Sequence, residues 1–543
     1  MADKPNKLER LKAELAPADF SDRLAALDWN AVDEAQRFYL KSYGIYNIKM
    51  RPDRYMLRLR IDGGRMSLRR LEVIGGLAQE YGVAILVTAR AQIELHGIAP
   101  EEIYPLYHRL LAAGITTHQT LTDNFRALVT DPYDGMAVDS QIECYPMIEA
   151  IRERILDRPE WMGTIPRKFN TAIIGRVAPL VNPWGNDLLF ALAQWDGVWG
   201  FNVYLGGKNN EVAQSVDVFV LPDEVPDLFM AVAEVFSEHG LRESRAKIRM
   251  FHLIESVGME KIRLWIVERL GRPLRSAGEL KMVRSVPLNV TELAGGGAGQ
   301  ILPAHYGEMT PEALMEQIRI ARESGGEIRL GSDQNLHRIG GHETSVESRP
   351  QITACAGARH CPLSLWDIKH DVPTLPLARL ERLGITVGFS GCLKGCGRHY
   401  HSDIGLFGLR TNLYGETERA VRVYLGAIQS FDPAPGRMLY YSVPERAMEA
   451  LLGVILDEYE RSLLPSFEAY AHHIRRYSIE WLQLWYLLHL NGRVDADMQA
   501  AFVAGVEEVR LAAMASEKFA NSFGTGYADA IRELSHRVWD QKA

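Results

Sequence analysis

Four cysteines in two close pairs constrain this chain more than any other feature. Cys355 and Cys361 form a C-x5-C pair, and Cys392 and Cys396 form a C-x3-C pair further along the chain. Four thiolates in one region can hold a soft metal ion or an iron–sulfur cluster. A 543-residue chain with five cysteines is not a disulfide framework, so we expect free thiols in a reducing, cytoplasmic compartment. The fifth cysteine, Cys144, stands alone and is interpreted as a core residue.

The spacing of the pairs and their small neighbours bear on what the thiols bind. Zinc sites and plain ferredoxin-type clusters usually carry C-x2-C pairs, which are absent here. Four buried structural cysteines would not need small neighbours, whereas glycine lets the backbone approach a bulky inorganic ligand. The small neighbours are Ala354, Ala356, Gly357, Ala358, Gly391, Gly395 and Gly397. If Cys392 and Cys396 lie in one helical turn, their i, i+4 spacing puts both thiolates on one side.

Charge and hydropathy argue against two classes of partner. The formal net charge is −8, which argues against general nucleic-acid binding. No apolar run approaches the roughly 20 residues that span a bilayer, so no membrane segment is expected. The charged first residues lack the apolar core of a signal peptide. The length of the chain predicts several domains.

A strand–helix–strand unit occurs twice in the chain. In the first copy, the alternation over 55–61 predicts a strand with Arg58 and Arg60 on one face, and Ser67 caps the helix that follows. A second strand is predicted from Ala84 to Val87. Residues 309–340 align without a gap on 66–97 at an offset of 243 residues, with glycines and helix starts in register. This repeat indicates two related halves about a pseudo-twofold axis.

Other stretches carry weaker signals. Pro166 to Ile174 is interpreted as one strand on which Lys168 and Asn170 point the same way. The glycine-rich stretch 295–299 is interpreted as a linker, because it follows no clear strand and opens no clear helix. The tail from about residue 480 is predicted to be helical.

The cysteine motifs closely resemble those of the sirohaem-dependent nitrite and sulfite reductases. The resemblance extends to the duplicated unit, to the PRKF segment at 166–169 and to the NVYLGG segment at 202–207, and covers roughly residues 45–480. The motifs that carry it are Thr353-Ala354-Cys355-x5-Cys361, Ser390-Gly391-Cys392-x3-Cys396-Gly397 and Asp403-Ile404-Gly405-Leu406-x-Gly408. The resemblance implies that Cys355, Cys361, Cys392 and Cys396 bind a [4Fe–4S] cluster and that Cys396 also bridges to the sirohaem iron.

The resemblance also implies an anion pocket. The substrate oxyanion would be held by Arg58, Arg126 and Lys168, with Asn170 beside them. Related sulfite reductases tend to carry a second lysine at the position of Asn170. Sulfite is a dianion over much of the neutral range and nitrite a monoanion, so one cation fewer favours nitrite.

The carboxylates of sirohaem need many hydrogen-bond donors. By the family's pattern these donors are Arg90, Gln92, Lys208, Arg245, Lys247, Arg249, Gln334 and Asn335. The chain departs from that pattern in two places. The usual Thr-x-Arg-Gln-Asn reads Thr88-Ala89-Arg90-Ala91-Gln92 here, and Ala127 replaces an expected asparagine.

The sequence therefore predicts an α/β (α+β) protein of two pseudo-twofold-related halves with ferredoxin-like units and two sirohaem- and cluster-binding lobes. The predicted segments are an N-terminal arm at 1–45, ferredoxin-like half-domains at 46–130 and 300–345, lobes at 150–285 and 346–480, and a helical tail at 481–543. The predicted reaction is the six-electron reduction of nitrite to ammonia.

Electrons are expected from reduced ferredoxin, docked on a basic patch within 51–70 or 242–249, since the sequence carries no recognisable flavin or nicotinamide domain. Two alternatives remain. One is a sulfite reductase with the same cofactors. The other is a cluster protein without sirohaem, such as a precorrin-3B synthase-type oxygenase, or a non-catalytic metal-bound scaffold.

Overall fold

A computed structural model divides the chain into two compact units, Met1–Glu347 and Ser348–Ala543. The structure describes residues 5–48, 51–156, 158–284, 290–302, 304–340, 350–371, 375–413, 415–490 and 492–515, together with residues 531, 534 and 539. Most of the predicted helical tail beyond residue 515 lies outside these ranges. In the part of the chain that is described, no helix is long and apolar enough to cross a membrane.

The first unit begins with an arm and a ferredoxin-like sheet. Its elements are α1 (Lys7–Glu14), α2 (Glu34–Leu40), β1 (Ile45–Ile48), β2 (Arg51–Arg58), α3 (Leu68–Glu80), β3 (Ala84–Val87), β4 (Ile93–Ile98) and α4 (Pro100–Ala112). Ser67 caps α3 by accepting the amide of Arg70, as the sequence predicts. The strand predicted over 55–61 is wrong in its end, since β2 stops at Arg58 and the Arg60 amide donates to the Thr116 oxygen. The Arg60 side chain pairs with Asp62 in the core.

A lobe follows in the same unit. Its elements are α5 (Tyr145–Leu156), β5 (Thr171–Ile174), β6 (Leu188–Trp195), β7 (Val198–Leu205), β8 (Gln214–Val220), α6 (Val225–His239), α7 (Met250–Val257), α8 (Met259–Leu270) and β9 (Glu279–Leu280). The single strand predicted from Pro166 is wrong in its start, since the ladder begins at Thr171. The amide of Asn170 donates to the Asp187 carboxylate instead of to a strand.

The second copy of the repeat closes the first unit. Its elements are β10 (Val290–Glu292), β11 (Ala298–Leu302), β12 (Glu308–Met309), α9 (Pro311–Glu323), β13 (Glu327–Leu330) and β14 (Leu336–Ile339). The stretch 295–299 is not a linker as predicted. It turns the β10–β11 hairpin, with Gly296 and Gly297 at positive φ.

The main helix and strands of the two copies correspond at the predicted offset. Helices α3 and α9 and strands β3 and β13 start and end at equivalent positions, and the two helices pack against each other. The copies also exchange edge contacts symmetrically: Glu308 pairs with Leu86, and the equivalent Arg65 pairs with Arg329. The duplication read from the sequence is therefore confirmed as a pseudo-twofold inside this unit.

Two glycines make this exchange possible. Gly64 and its counterpart Gly307 have φ of +68° and +86°, and a Cβ atom would lie 2.1 Å from the Leu330 oxygen and 2.4 Å from the Val87 oxygen. Each glycine is crossed by the backbone of the other copy. A side chain at either position would be strained and would also displace a strand.

Alanine at Gly64 or Gly307 is therefore expected to destabilise the first unit by about 3 kcal/mol, combining left-handed strain with the clash. Gly82→Ala is the matched control, because Gly82 has φ +62° and open space around its Cβ position. It should cost only about 1 kcal/mol. Thermal unfolding midpoints check this order, and equal midpoints for Gly64→Ala and Gly82→Ala would contradict the close crossing.

The second unit is a lobe with a helical end. Its elements are β15 (Ile352–Ala354), α10 (Gly357–His360), α11 (Ile368–Asp371), α12 (Leu377–Arg382), β16 (Val387–Ser390), β17 (Ile404–Thr411), β18 (Glu418–Leu425), β19 (Arg437–Pro444), α13 (Glu445–Ser462), α14 (Phe467–Ile474), α15 (Ile479–His489) and α16 (Ala496–Ala515).

Both lobes have the same connectivity. In each, a parallel strand pair (β5–β6 or β16–β17) leads into two antiparallel strands and then a long helix (α6 or α13). The mixed α/β architecture predicted from the sequence is confirmed.

Candidate functional site

The predicted anion-binding residues of the first unit are brought together by a short parallel contact. Phe125 and Phe169 form a parallel bridge, and their rings stack edge to face in the core at 5.5 Å. Because neighbouring side chains alternate, Arg126, Lys168 and Asn170 point to the opposite side. The Arg126 amide donates to the Phe169 oxygen at 2.8 Å, which fixes this register.

A single carbonyl joins two of the guanidinium groups. The Thr120 oxygen accepts Nη1 of Arg58 at 3.3 Å and also Nη1 of Arg126. The loop that presents it is strained, with Gln119 and Thr122 at positive φ, and such strain is common where a chain is shaped by a site. Burial lowers the pKa of Arg126, and the nearby Arg58 and Arg90 charges lower it further. Cations are thus crowded here beyond what the local carboxylates neutralise.

Two buried atoms at this cluster lack a hydrogen-bond partner among the described residues. They are Nε of Arg126 and Oδ1 of Asn170, both inaccessible to solvent. An unpaired buried polar atom is costly, and a native structure normally satisfies it. The donor and the acceptor therefore fit a bound polar group on this side of the Phe125–Phe169 bridge.

Two buried carboxylates that the sequence analysis missed hold the surrounding cations. Asp123 is fully buried and contacts Lys12 at 3.1 Å, Arg245 at 2.7 Å and Arg167 at 3.6 Å. Asp187 accepts Nε and Nη2 of Arg249, each at 2.7 Å, and also accepts the Asn170 amide. The only sequence signal was position, since Asp123 precedes the Asn-Phe-Arg motif directly.

The residues predicted to contact sirohaem are of two kinds, cationic side chains and amide side chains. Arg90 lies within electrostatic reach of Arg126 and donates to the Ala127 oxygen, while Lys208 sits 3.9 Å from the centre of the Phe251 ring. Lys247 is exposed. The amide side chains bind backbone atoms of the protein. Oε1 of Gln92 accepts the Ile61 amide, and Nε2 of Gln92 donates to the Ile61 oxygen.

The amides of the second copy also bind protein atoms. Gln334, at φ +70°, donates to the Val87 oxygen at 3.2 Å. Asn335 donates to Asp333 at 2.8 Å and accepts the Ala304 amide. Asp333 in turn contacts the buried His337 at 3.0 Å. These contacts fix the turns at which the two copies meet.

The cysteine pairs of the second unit lie at the ends of adjacent parallel strands. Cys355 follows β15 and Cys392 follows β16, and these strands pair in parallel through Ala354 and Phe389. The Gly391 amide donates to the Cys355 sulfur at 3.1 Å. Such amide–sulfur contacts stabilise thiolates in iron–sulfur sites.

The glycines beside Cys392 and Cys396 let that loop fold back on β16. A Cβ on Gly397 would lie 2.0 Å from the Phe389 oxygen, and one on Gly391 would lie 1.8 Å from the Ser364 hydroxyl. The helical turn considered for Cys392–Cys396 is not formed. The Gly395 amide closes a tight turn onto the Cys392 oxygen, and its φ of +67° breaks any helix.

The four thiols are close enough to influence one another. Burial, together with the Cys396 and Cys392 thiols, raises the pKa of Cys355 to about 12. Burial also raises the pKa of Cys392, with contributions from Cys396 and Cys361. These pKa values belong to the metal-free thiols, and iron would hold them as thiolates. Cys396 is the exposed member of the set.

Within the described ranges, no three His, Cys, Asp or Glu side chains converge tightly enough to hold one metal ion. A four-iron cluster does not require such convergence, because each thiolate binds a different iron atom. Beside the cluster loop, His399 is fully buried among Tyr400, Tyr424 and Phe407. Burial lowers its pKa to about 3, so this imidazole is neutral.

Comparison with known proteins finds two family models that match parts of the first unit. Residues 48–113 match the nitrite/sulfite reductase ferredoxin-like half domain, and residues 121–274 match the nitrite and sulphite reductase 4Fe-4S domain. Both models describe domains of nitrite and sulfite reductases, and the chain is similar to that family over these residues. The 4Fe-4S domain match covers the first lobe, whereas the clustered cysteines lie in the second lobe with the same connectivity. The cluster assignment within this chain therefore rests on those cysteines.

Full-length relatives carry both activities in their names. A ferredoxin–nitrite reductase of Synechococcus elongatus is 29% identical over 85% of this chain and 96% of its own length. A ferredoxin-dependent sulfite reductase of Mycobacterium tuberculosis is 28% identical over 72% of this chain and 76% of its own. The solved structure of the Mycobacterium tuberculosis NirA protein matches with a TM-score of 0.78 and 25% identity, over 88% of this chain and 97% of that one.

Proposed function

We propose that this protein reduces nitrite to ammonium with electrons from reduced ferredoxin, using a [4Fe–4S] cluster and sirohaem. The observation that carries the proposal is the crowded cation group of Arg58, Arg126 and Lys168, completed by Asn170 rather than by a fourth cation. Nitrite, six electrons and eight protons give ammonium and two waters. The coupled cofactors would supply the electrons singly to a substrate held on iron.

The side chains of the first unit would bind and orient the anion. Arg126 offers an unpaired buried Nε, and Asn170 offers an unpaired buried Oδ1 that can accept a hydrogen bond. Charged donors in a site shielded from water stabilise developing negative charge more strongly than they would in solvent. The lysine ammonium and the guanidinium groups would also hold protons near the oxygens that leave as water.

The thiols of the second unit would hold the cluster. Cys355, Cys361 and Cys392 are the more enclosed ligands, and the exposed Cys396 is the one we assign to the link with sirohaem. Arg90 and Lys208 would contact the sirohaem carboxylates, with Arg245, Lys247 and Arg249 contributing positive charge nearby. Free thiols and an assembled cluster need a reducing compartment, so we expect the enzyme to act in the cytoplasm.

Reduced ferredoxin would dock on a basic surface, since ferredoxins are acidic. Of the two candidate regions, 51–70 is favoured. Arg51, Arg54, Arg69 and Arg70 are exposed there, whereas the arginines of 242–249 are engaged with buried carboxylates.

Sulfite reduction is the second candidate, because a sulfite reductase relative is nearly as similar as the nitrite reductase relative. Steady-state kcat/KM values for nitrite and sulfite, measured with one reduced donor, separate the two. The proposal predicts a higher value for nitrite, and a higher value for sulfite would overturn it.

The variant Asn170→Lys also tests whether the site is built for nitrite or for sulfite. A fourth cation adds attraction that is twice as large for a dianion as for a monoanion. We expect the ratio of kcat/KM for sulfite over nitrite to rise by about tenfold. Asn210→Lys, at an exposed position of the same unit, is the control and should leave the ratio unchanged.

A further inference from the structure

One of the three substrate-binding cations is paired with a buried carboxylate. Nε of Arg58 donates to Oε1 of Glu94 at 2.8 Å, and Nη2 of Arg58 bonds the same oxygen. The Arg58 side chain is 26% exposed and the Glu94 side chain 6% exposed. The other carboxylate oxygen, Oε2, lies 2.8 Å from Nε2 of His96. Glu94 is thus fixed from both sides and faces Arg58.

The pseudo-twofold repeat indicates that this pair is not needed to build the sheet. Arg58 and Glu94 are directly opposite each other on β2 and β4. In the second copy, the equivalent positions are Ile301 and His337, which are opposite each other on β11 and β14. The same strand pairing forms there without an ion pair between the two facing residues. The carboxylate is therefore a feature of the anion site and not of the fold.

Glu94 is also held in its charged form. Burial alone would raise its pKa, but Arg58 and His96 together hold the pKa well below its usual range. The carboxylate consequently contributes one full negative charge next to the substrate cations at every pH of interest.

We propose that Glu94 sets the anion charge that this site accepts, by cancelling one of its positive charges so that a monoanion is favoured over a dianion. The proposal rests on the proposed function and adds a specificity-determining residue to it. An anion in the site feels attraction from Arg58, Arg126 and Lys168 and repulsion from Glu94. The repulsion doubles for a dianion, because Coulomb energy scales with the charge of the ligand. Glu94 therefore disfavours sulfite more than nitrite.

Glu94→Gln removes the charge and keeps an oxygen that can accept from Nε of Arg58. The measurement is the dissociation constant of nitrite and of sulfite for the cofactor-loaded enzyme, by optical titration on the alkaline side of neutral, together with kcat/KM for both. We expect nitrite to bind about fivefold more tightly and sulfite about twenty-five-fold more tightly, the second factor being the square of the first.

Glu327→Gln is the matched control. Oε1 of Glu327 accepts Nε of Arg329 at 2.9 Å and Nη2 of Arg329 at 2.6 Å, the same arrangement away from the substrate cations. Its dissociation constants should equal those of the unmodified enzyme. Weaker binding of both anions by Glu94→Gln would mean that Glu94 only positions Arg58, and this result would overturn the proposal. An unchanged sulfite-to-nitrite ratio would also overturn it.

The same data keep the two proposals apart. An unmodified enzyme that prefers sulfite defeats the proposed nitrite specificity. The role of Glu94 depends only on the shift between unmodified enzyme and variant, whichever anion is preferred.

Discussion

Cys396→Ser is expected to abolish loading of the iron–sulfur cluster and to lower nitrite reduction by more than about a hundredfold. A serine hydroxyl is a poor ligand for iron in a thiolate cluster, and loss of outer-sphere contacts alone costs about 10–100-fold at metal sites. Cys396 is also the thiol that we assign to the link with sirohaem, so both cofactors should be affected. Iron and acid-labile sulfide content, with the absorption spectrum, measure the effect.

Cys144→Ser is the matched control for that experiment. Cys144 is fully buried in the first unit, where its amide donates to Asp134 at 2.9 Å, and the other four cysteines belong to the second unit. Serine there should cost stability of about 1–2 kcal/mol and leave the spectrum unchanged. If the two variants lose iron and sulfide equally, the four-cysteine assignment is wrong.

Asp123→Asn is expected to destabilise the first unit by about 3 kcal/mol. Three cations contact this fully buried carboxylate, and removing one partner of a buried ion pair leaves the others uncompensated. Arg167 is one of these partners and directly precedes Lys168, so the loss should reach the anion site and raise KM for nitrite. Urea unfolding of the variant, followed by the nitrite assay, measures both effects.

Asp227→Asn serves as the comparison. Asp227 pairs with Arg154 at 2.7 Å, but the two side chains are 60% and 44% exposed. Exposed pairs contribute about 0–1 kcal/mol, so this variant should unfold close to the unmodified protein. A loss for Asp123→Asn as small as that for Asp227→Asn would contradict the role given to Asp123.

The buried Asp123 carboxylate also predicts that the stability of the first unit falls in acid. Burial would raise the pKa of Asp123, but Lys12 and Arg245 outweigh it and hold the pKa below its ordinary value. A lowered carboxyl pKa contributes stability that is present above about pH 4, the unfolded value, and is lost as the pH falls through the folded value. In Asp123→Asn, the free energy of unfolding should therefore fall less steeply as the pH is lowered into the acid range. The same steepness in the variant and the unmodified protein would mean that other groups cause the acid dependence.

The sequence predicts best what is local or repeated. The helix cap at Ser67, the strand Ala84–Val87 and the duplicated unit are all correct, because capping, alternation and a fixed offset are properties of neighbouring residues. The two cysteine pairs are equally easy to recognise, since the spacing and the small neighbours of each pair lie within a short stretch of sequence.

What the sequence does not predict are contacts between distant segments. The pairing of Glu94 with Arg58 spans two strands, and Asp123 gathers cations from the arm, from 166–170 and from 242–249. The start of β5 is predicted wrongly for the same reason. The Asn170 amide donates to the distant Asp187 carboxylate and therefore forms no strand hydrogen bond. Buried charge depends on packing that no local pattern records.

The absorption spectrum of the purified enzyme, with its iron and sulfide content, tests the central claim most directly. A reductase that joins sirohaem to a four-iron cluster should show strong Soret and red bands, with iron in excess of acid-labile sulfide by one atom per chain. Adding nitrite should shift those bands, because under the proposed function the substrate would bind at the haem iron. Iron and sulfide in equal amounts without the Soret and red bands would contradict the account and leave a cluster protein without sirohaem.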